Sequence, residues 1–417
     1  MKCAIPVPEH RLPSSPAIFK MGRTEFVALL AMMMASVAFS IDAMLPALPA
    51  IGAELSPERP QNAPLILSMF LFGMGVGTFF TGPISDAYGR KRVILGASAL
   101  YILGAALAWA SATLEMVLLG RVLQGLGAAG PRIVTSAIIR DRFSGRQMAQ
   151  ISSIIMMVFV LVPAISPLLG SYIIGWTGWR GIFMAFIVFS LTFTLWMMLR
   201  LPETLPPARR RPLRLSLMLG AVAEMGRHPQ VRLSILVQML VSAMLFLTLM
   251  LVQPIYDTVY DRGAEFPYWF CIIAIIAGSA SLLNALLVVR IGMHRIVMLA
   301  LAAQIALSGA FTLLDLGSGA FGFYFFLLWQ AYIFFQAGLT FGNLMAIAME
   351  PMGHIAGMAA SVIGAIATVG AVLISGPIGT HFTGDERLLT LSVLILSVVA
   401  CVAMLTMVRT SKGAKTN

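Results

Sequence analysis

Few side chains in this sequence can do chemistry, and they stand in costly places. Asp42 lies inside the apolar run Phe26–Leu48, about six residues from its far end. Arg121 lies about seven residues into the run Leu114–Ile138, and Arg132 follows eleven residues later. Eleven residues is almost three helical turns, so both arginines share a helix face about 16 Å apart. Charges inside apolar runs long enough to span a bilayer are expensive, which makes each a functional candidate. Burial disfavours the anion of a carboxyl, and a nearby arginine favours it. If the run holding Asp42 leaves one membrane face and the run holding Arg121 returns from the other, the two share a similar depth. Asp42 then reads as a proton carrier and Arg121 as the group that tunes it across an aqueous cavity. The alternatives are a structural ion pair, or an aspartate capping a helix broken near Pro46. Arg132, nearer the other mouth, can attract anions, pair with an acid or snorkel to the headgroups.

Other chemistries find no support. The five histidines, His10, His228, His294, His354 and His381, fall outside the apolar runs, and no HExxH, GxSxG or P-loop pattern occurs. Cys3, Cys271 and Cys401 fit no disulfide or metal spacing. The sequence therefore points to no enzyme, no cofactor and no metal site. A receptor needs an outer ligand domain or a sizeable output domain, and the connecting segments are too short. Without a nucleotide-binding motif, energy for any transport must come from an ion gradient.

The elements that must carry these residues follow from composition. The chain of 417 residues is 59% hydrophobic and 11% charged, too little charge to cover a soluble protein of that length. Its apolar residues come in runs of about 20, the length that crosses a hydrocarbon core as a helix. The runs are continuously apolar and do not alternate, so helices are expected rather than a barrel. Twelve spans are predicted: 26–48, 63–84, 93–111, 114–138, 148–173, 182–199, 233–255, 267–289, 296–316, 321–349, 356–380 and 388–408. A polar, proline-containing segment divides them. The predicted organisation is a tail 1–25, a six-helix bundle 26–199, a linker 200–232, a second bundle 233–408 and a tail 409–417. Within the linker, 213–225 is expected to form a short helix on the membrane surface. The N-terminus does not read as a signal peptide.

Charge sets the expected orientation. With Met1 inside, 22 of the 28 Lys and Arg fall on the cytosolic side, and four (Arg59, Arg180, Arg262, Arg387) fall outside. This is the positive-inside bias. It accounts for the net charge of +11 without nucleic acid, and the basic segments can also attract anionic lipid. Both termini are expected in the cytosol.

The halves echo each other. Ala137-Ile138-Ile139-Arg140-Asp141 resembles 346–350, and Pro167-Leu168-Leu169-Gly170 resembles Pro377-Ile378-Gly379, at offsets of about 209 and 210 residues. Such parallel repeats build transporters with a substrate site between the halves. Glycines at 73, 75, 77, 364, 370 and 376 suit close helix contact. Pro163 and Pro167, with Gly170 and Pro377, are expected to bend their spans. Polar and aromatic candidates for a permissive pocket are Gln238, Asn284, Trp329, Tyr332, Gln336 and Asn343, among 28 Met. Ordinary packing is the alternative for each.

The second and third spans are joined by Gly82-Pro83-Ile84-Ser85-Asp86-Ala87-Tyr88-Gly89-Arg90-Lys91-Arg92, read as a tight charged turn. Gly89 suits a tight turn. Asp86 can pair with a base or face a helix N-terminus, and Asp141 can extend the same charge network. The pattern Gly-x-x-x-Asp-x-x-Gly-Arg-Lys resembles the signature of the major facilitator superfamily. Asp42-Ala43-Met44-Leu45-Pro46-Ala47-Leu48-Pro49, Arg121-Val122-Leu123-Gln124-Gly125-Leu126-Gly127-Ala128-Ala129, Ile139-Arg140-Asp141, the segment 163–170 and Gly178-Trp179-Arg180-Gly181-Ile182-Phe183 narrow the likeness. Together they resemble the Bcr/CflA group of bacterial drug:proton antiporters, strongly over 40–185 and in the second half mainly at 350–357. Ser166 stands where the general antiporter motif has glycine before its proline.

The resemblance implies an all-α integral membrane fold of twelve helices in two six-helix bundles. It implies export of drug-like compounds in exchange for protons, by alternating access, in the bacterial inner membrane. Asp42 and Arg121 match positions that serve coupling. Gly82, Asp86, Gly89, Arg90, Lys91 and Asp141 match a latch that holds the outward-facing state. The expected partners are a small-molecule substrate, protons and lipid, around a monomer. A metabolite exporter or a proton symporter of narrow range is the alternative within the same fold.

Overall fold

The computed structural model of the protein describes residues 21–413. Cys3, His10, most of the expected tail 1–25 and the end of the tail 409–417 lie outside the described residues. The described chain is helical, as the apolar runs require: α1 (Arg23–Asp42), α2 (Leu48–Leu55), α3 (Leu65–Tyr88), α4 (Arg90–Trp109), α5 (Leu114–Arg142), α6 (Gly145–Thr177), α7 (Arg180–Arg200), α8 (Leu215–Arg227), α9 (Pro229–Thr258), α10 (Phe266–Ile291), α11 (Met293–Leu313), α12 (Gly322–Met349), α13 (Ala356–Gly379) and α14 (Arg387–Gly413). Among the described residues, eleven stretches are long and apolar enough to cross a membrane. One of them, Gly322–Gly379, runs for 58 residues and breaks at Met352, so it supplies two crossings, α12 and α13. Twelve crossings result. Their alternation puts the start of α1, the end of α14 and the segment 200–232 at one face, here the terminal face. The opposite one is the far face.

Several helix ends depart from the expected spans. The first span ends at Asp42 rather than Leu48. Pro46 has no N–H for the carbonyl of Asp42 and its ring crowds that carbonyl, so the α-helix stops there and a 3₁₀ turn, Leu45–Ala47, follows. The segment 82–92 is not a loop. α3 runs through Pro83 to Tyr88, and α4 starts at Arg90. The whole turn is Gly89, at φ +99°, a conformation glycine adopts without strain. α5 likewise continues past Ile138 to Arg142, since the charges on its last turn have partners at the face. The short helix expected at 213–225 lies at Leu215–Arg227, two residues later.

Glycine decides which helices touch in the first half. A Cβ at Gly73 would run into the Val122 carbonyl, one at Gly125 into the Phe70 carbonyl, and one at Gly77 into Leu126. α3 and α5 therefore meet backbone to backbone. Gly104 against Gly120 and Gln124, and Gly127 against Ala97 and Tyr101, do the same for α4 and α5. α5 is thus clamped between two neighbours. In the second half α9 is the buried helix, packed by α12, α13 and α14.

The halves meet along two seams. α3 lies on α13, with Gly75 against Thr368 and Val369 and Gly82 facing Ser361. α6 lies on α10, with Gly278 facing Val160. Near the far face one apolar core is continuous across the halves, joining Leu45, Leu48 and Ile51 to Leu247, Met250 and Leu251. Ser68 donates there to the Met250 sulfur at 2.9 Å. The segment 200–232 is tied to the rest of the chain at several points. Arg200 pairs with Glu25 at 2.8 Å and the Arg211 amide donates to the Asp86 carbonyl at 3.1 Å. Met225 of α8 is buried with Val231, Met352 and Val362 of the second half, and His354 meets Glu224 at 2.8 Å.

Candidate functional site

Close approach of α3, α4 and α5 is what lets Arg121 work at a distance. Its guanidinium is fully buried. Nη2 donates to the Ser40 carbonyl of α1 at 3.0 Å, Nε to the Ile66 carbonyl of α3 at 3.2 Å, and Nη1 to Gln124 Oε1 of α5 at 2.8 Å. The plane lies over the Phe70 ring, 4.3 Å from its centroid. Ser40 is in the last turn of α1, where carbonyls lack helical N–H partners and a cation is favoured by the dipole. Arg121 therefore caps α1 from another helix. The Ser40 hydroxyl meets the Tyr101 hydroxyl of α4, which completes the ring around it.

Asp42 sits two residues further on, at the break. Its side chain is buried, 6% exposed, and among the described residues it has no hydrogen-bond or ion-pair partner. The expected meeting of Asp42 with Arg121 does not occur in this arrangement: the arginine's bonds go to two backbone carbonyls and a glutamine. Gly170 of α6 seats directly against the Ala43 carbonyl, so α6 closes over the same break. α6 runs unbroken from Gly145 to Thr177 with Pro163 and Pro167 inside it. Each proline leaves the carbonyl four residues earlier without its helical N–H. Arg132 is half-buried, 3.6 Å from the Met74 sulfur through Nη1, with no carboxylate at ion-pair distance among the described residues.

The second-half candidates separate into two groups. Trp329 donates to Ser308 Oγ at 2.9 Å and stacks on Phe326. Tyr332 donates to the Ala300 carbonyl at 3.0 Å, and Asn343 bridges to Asn284 at 2.7 Å. Their polar groups are committed to contacts within the half. Gln238 of α9 and Gln336 of α12 are buried, and among the described residues the Gln238 Oε1 and the Gln336 Nε2 have no hydrogen-bond partner. Pro377 lies inside α13, where its carbonyl accepts from Thr380.

At the terminal face the turn motif builds a charge cluster around Arg90. Its guanidinium donates to Asp141 Oδ2 at 2.9 Å, to Ser85 Oγ at 2.7 Å and to Asp86. Lys91 Nζ donates to the Met198 and Leu201 carbonyls that end α7, at 2.8 and 2.9 Å. Glu203, which the sequence reading did not single out, accepts from the Arg90 and Lys91 amides at 3.0 and 3.2 Å. A carboxylate from the linker thus caps α4 where Gly89 leaves the first N–H groups bare. No local signal marks it, because the cap comes from 113 residues away. Beside this cluster a cavity of about 260 Å³ opens between the halves, lined by Gly82, Asp86, Arg140, Arg211 and the start of α13.

The far-face loops hold their own pairs. Asp315, hydrogen-bonded to Arg387 at 2.9 Å and to Ser318, titrates below the ordinary aspartate range. Glu386, packed against Gly317 and largely buried, is pushed above the ordinary glutamate range by desolvation.

The chain matches the family described as Major Facilitator Superfamily over residues 28–375. It is 30% identical over 346 residues to a bicyclomycin resistance protein homolog of Haemophilus influenzae, covering 80% of this chain and 84% of that protein. It is 32% identical over 168 residues to multidrug resistance protein MdtL of Escherichia coli, covering 40% of this chain and 43% of that one. A solved D-xylose-proton symporter superposes with a TM-score of 0.71 at 14% identity, covering 91% of this chain and 97% of that chain, which speaks to the fold alone. The family match runs from α1 into α13 and so through both halves, and the chain is a multi-pass membrane transporter of the Major Facilitator Superfamily, of the Bcr/CflA type.

Proposed function

We propose that this transporter exports small amphipathic, drug-like compounds across the bacterial inner membrane in exchange for protons, with Asp42 as the proton site. The observation that carries the proton assignment is the state of Asp42: buried, at a helix break, and without a partner. The anion of such a group needs water or a cation beside it, and the neutral acid does not. Its charge is therefore tied to hydration, and hydration changes when the halves rock. Arg121 supports this at one remove, by fixing the end of α1 that presents Asp42. The names of the relatives, bicyclomycin and multidrug resistance proteins, support drug-like cargo. The unpartnered amides of Gln238 and Gln336 are the polar contacts we assign to it. The basic terminal face is the cytosolic one, with both termini there. Residues 26–199 and 233–408 are the rocking units of a lipid-embedded monomer, and the Arg90 cluster is the latch between conformations.

The test uses purified protein in proteoliposomes with an imposed pH gradient. Accumulation of labelled chloramphenicol, bicyclomycin and a cationic dye is followed for wild type and Asp42→Asn. Gradient-driven accumulation is expected for wild type. In Asp42→Asn it is lost while binding persists. Equal accumulation by both proteins removes Asp42 from the mechanism. Failure of well-folded wild type to move any compound refutes drug export and turns the search to metabolites.

A further inference from the structure

A second cavity, of about 530 Å³, opens at the far face between the halves. The N-terminal half contributes Leu48, Pro60 and Gln61 to its lining, and the C-terminal half contributes Gln253, Asp257 and Phe382. It lies beyond the apolar seal formed by Leu48, Ile51, Leu247 and Leu251. Two features mark it as a built site. Gln253 is only 4% exposed, yet among the described residues its Oε1 has no hydrogen-bond partner, and a buried acceptor left unpaired is costly. Asp257 is exposed and forms no ion pair among the described residues, whereas Asp315 and Glu265 nearby are paired with Arg387 and Arg262. No lysine, arginine or histidine lines the cavity. The surrounding far-face segments of this half, 256–266, 314–321 and 380–387, carry six carboxylates against two arginines, a field that draws cations toward the mouth.

We propose that this vestibule is a ligand site for amphipathic organic cations bearing N–H groups. The apolar walls from both halves take the hydrocarbon body, Asp257 takes the charge, and Gln253 Oε1 accepts the N–H. The site is separate from Asp42 and from the cavity beside Arg90, and it rests on the drug-export reading only for the choice of probe.

The experiment reads occupancy without turnover. Thr383, another lining residue, is changed to cysteine in protein whose Cys3, Cys271 and Cys401 are replaced by serine. The rate of its alkylation by a small hydrophilic maleimide is measured in detergent against ethidium concentration. Ethidium is expected to slow alkylation saturably, and the neutral compound chloramphenicol is not. In Asp257→Asn the ethidium midpoint is expected to rise about tenfold or more, the scale of a charge-assisted hydrogen bond. Gln253→Met, which keeps the volume, is expected to raise it several-fold. Alkylation indifferent to ethidium overturns the proposal, as does an unchanged midpoint in both variants. Equal protection by chloramphenicol overturns the selection for charge. Because no transport is needed, a failure of export and a failure of this site are read separately.

Discussion

Arg121→Lys separates anchoring from charge. Lysine keeps the positive charge but replaces a planar fork with a compact ammonium. The wild-type fork serves acceptors on α1, α3 and α5 at once, at 3.0, 3.2 and 2.8 Å. An ammonium held at one point cannot meet all three, so at least two hydrogen bonds are lost. Each bond from a charged donor is worth about 1.5–3 kcal/mol, and the stacking on Phe70 adds about 1 kcal/mol. Water and relaxation recover part of this, leaving a cost of about 3 kcal/mol. For a cooperative unit the size of one six-helix half, that is a fall in Tm of about 6–12 °C. Thermal unfolding is followed by tryptophan fluorescence in detergent, and gradient-driven transport is measured below both transitions. Transport is expected to fall together with Tm, because the end of α1 loses the contact that fixes it. A variant that melts within 2 °C of wild type and still couples transport to the gradient would refute the anchor. Arg121 would then act as a point charge.

Substitutions at four further positions test the packing and the charges. Glu203→Ala leaves the Arg90 and Lys91 amides uncapped. It is expected to cost about 1–2 kcal/mol, read as faster hydrogen exchange at the start of α4, while Glu203→Gln retains part of the protection. Gly125→Ala drives a Cβ into the Phe70 carbonyl and is expected to cost about 1–3 kcal/mol. Gly96→Ala, a mid-helix site with nothing within 4 Å, is expected to be neutral or slightly stabilising in the same melting assay. Burial raises Glu386 above its ordinary value, so the folded state binds its proton more tightly than the unfolded chain. That penalty is absent below the unfolded pKa near 4.5 and complete above the raised folded value. Glu386→Gln is therefore expected to raise Tm at pH 7 and to change little at pH 4. An equal shift at both values would contradict the assignment.

Fold class and crossing number were legible in the sequence because lipid leaves a chain so few options. A backbone without water must form helices or a closed barrel, and unbroken apolar runs of about 20 residues, with no alternation, select helices. Asp42, Arg121 and Arg132 stood out for the same reason: a charge in an apolar run is costly wherever the fold puts it. Helix ends were less legible. The spans of α3 and α5 reach Tyr88 and Arg142 because polar partners wait at the face, not because hydropathy continues. The break after Asp42 was visible in principle, since Pro46 denies the Asp42 carbonyl its bond.

What surrounds each charge was decided by tertiary structure alone. Similar depth suggested that Asp42 and Arg121 would face each other. The phase and closeness of the helices send the arginine to the Ser40 and Ile66 carbonyls instead. That phase is set by glycines on different helices, Gly73 against Val122 and Gly125 against Phe70, whose pairing no local pattern encodes. Glu203 and the orphan amide of Gln253 stayed hidden for the same reason. A residue's type tells what it is able to do, and the approach of distant backbones decides what is within its reach.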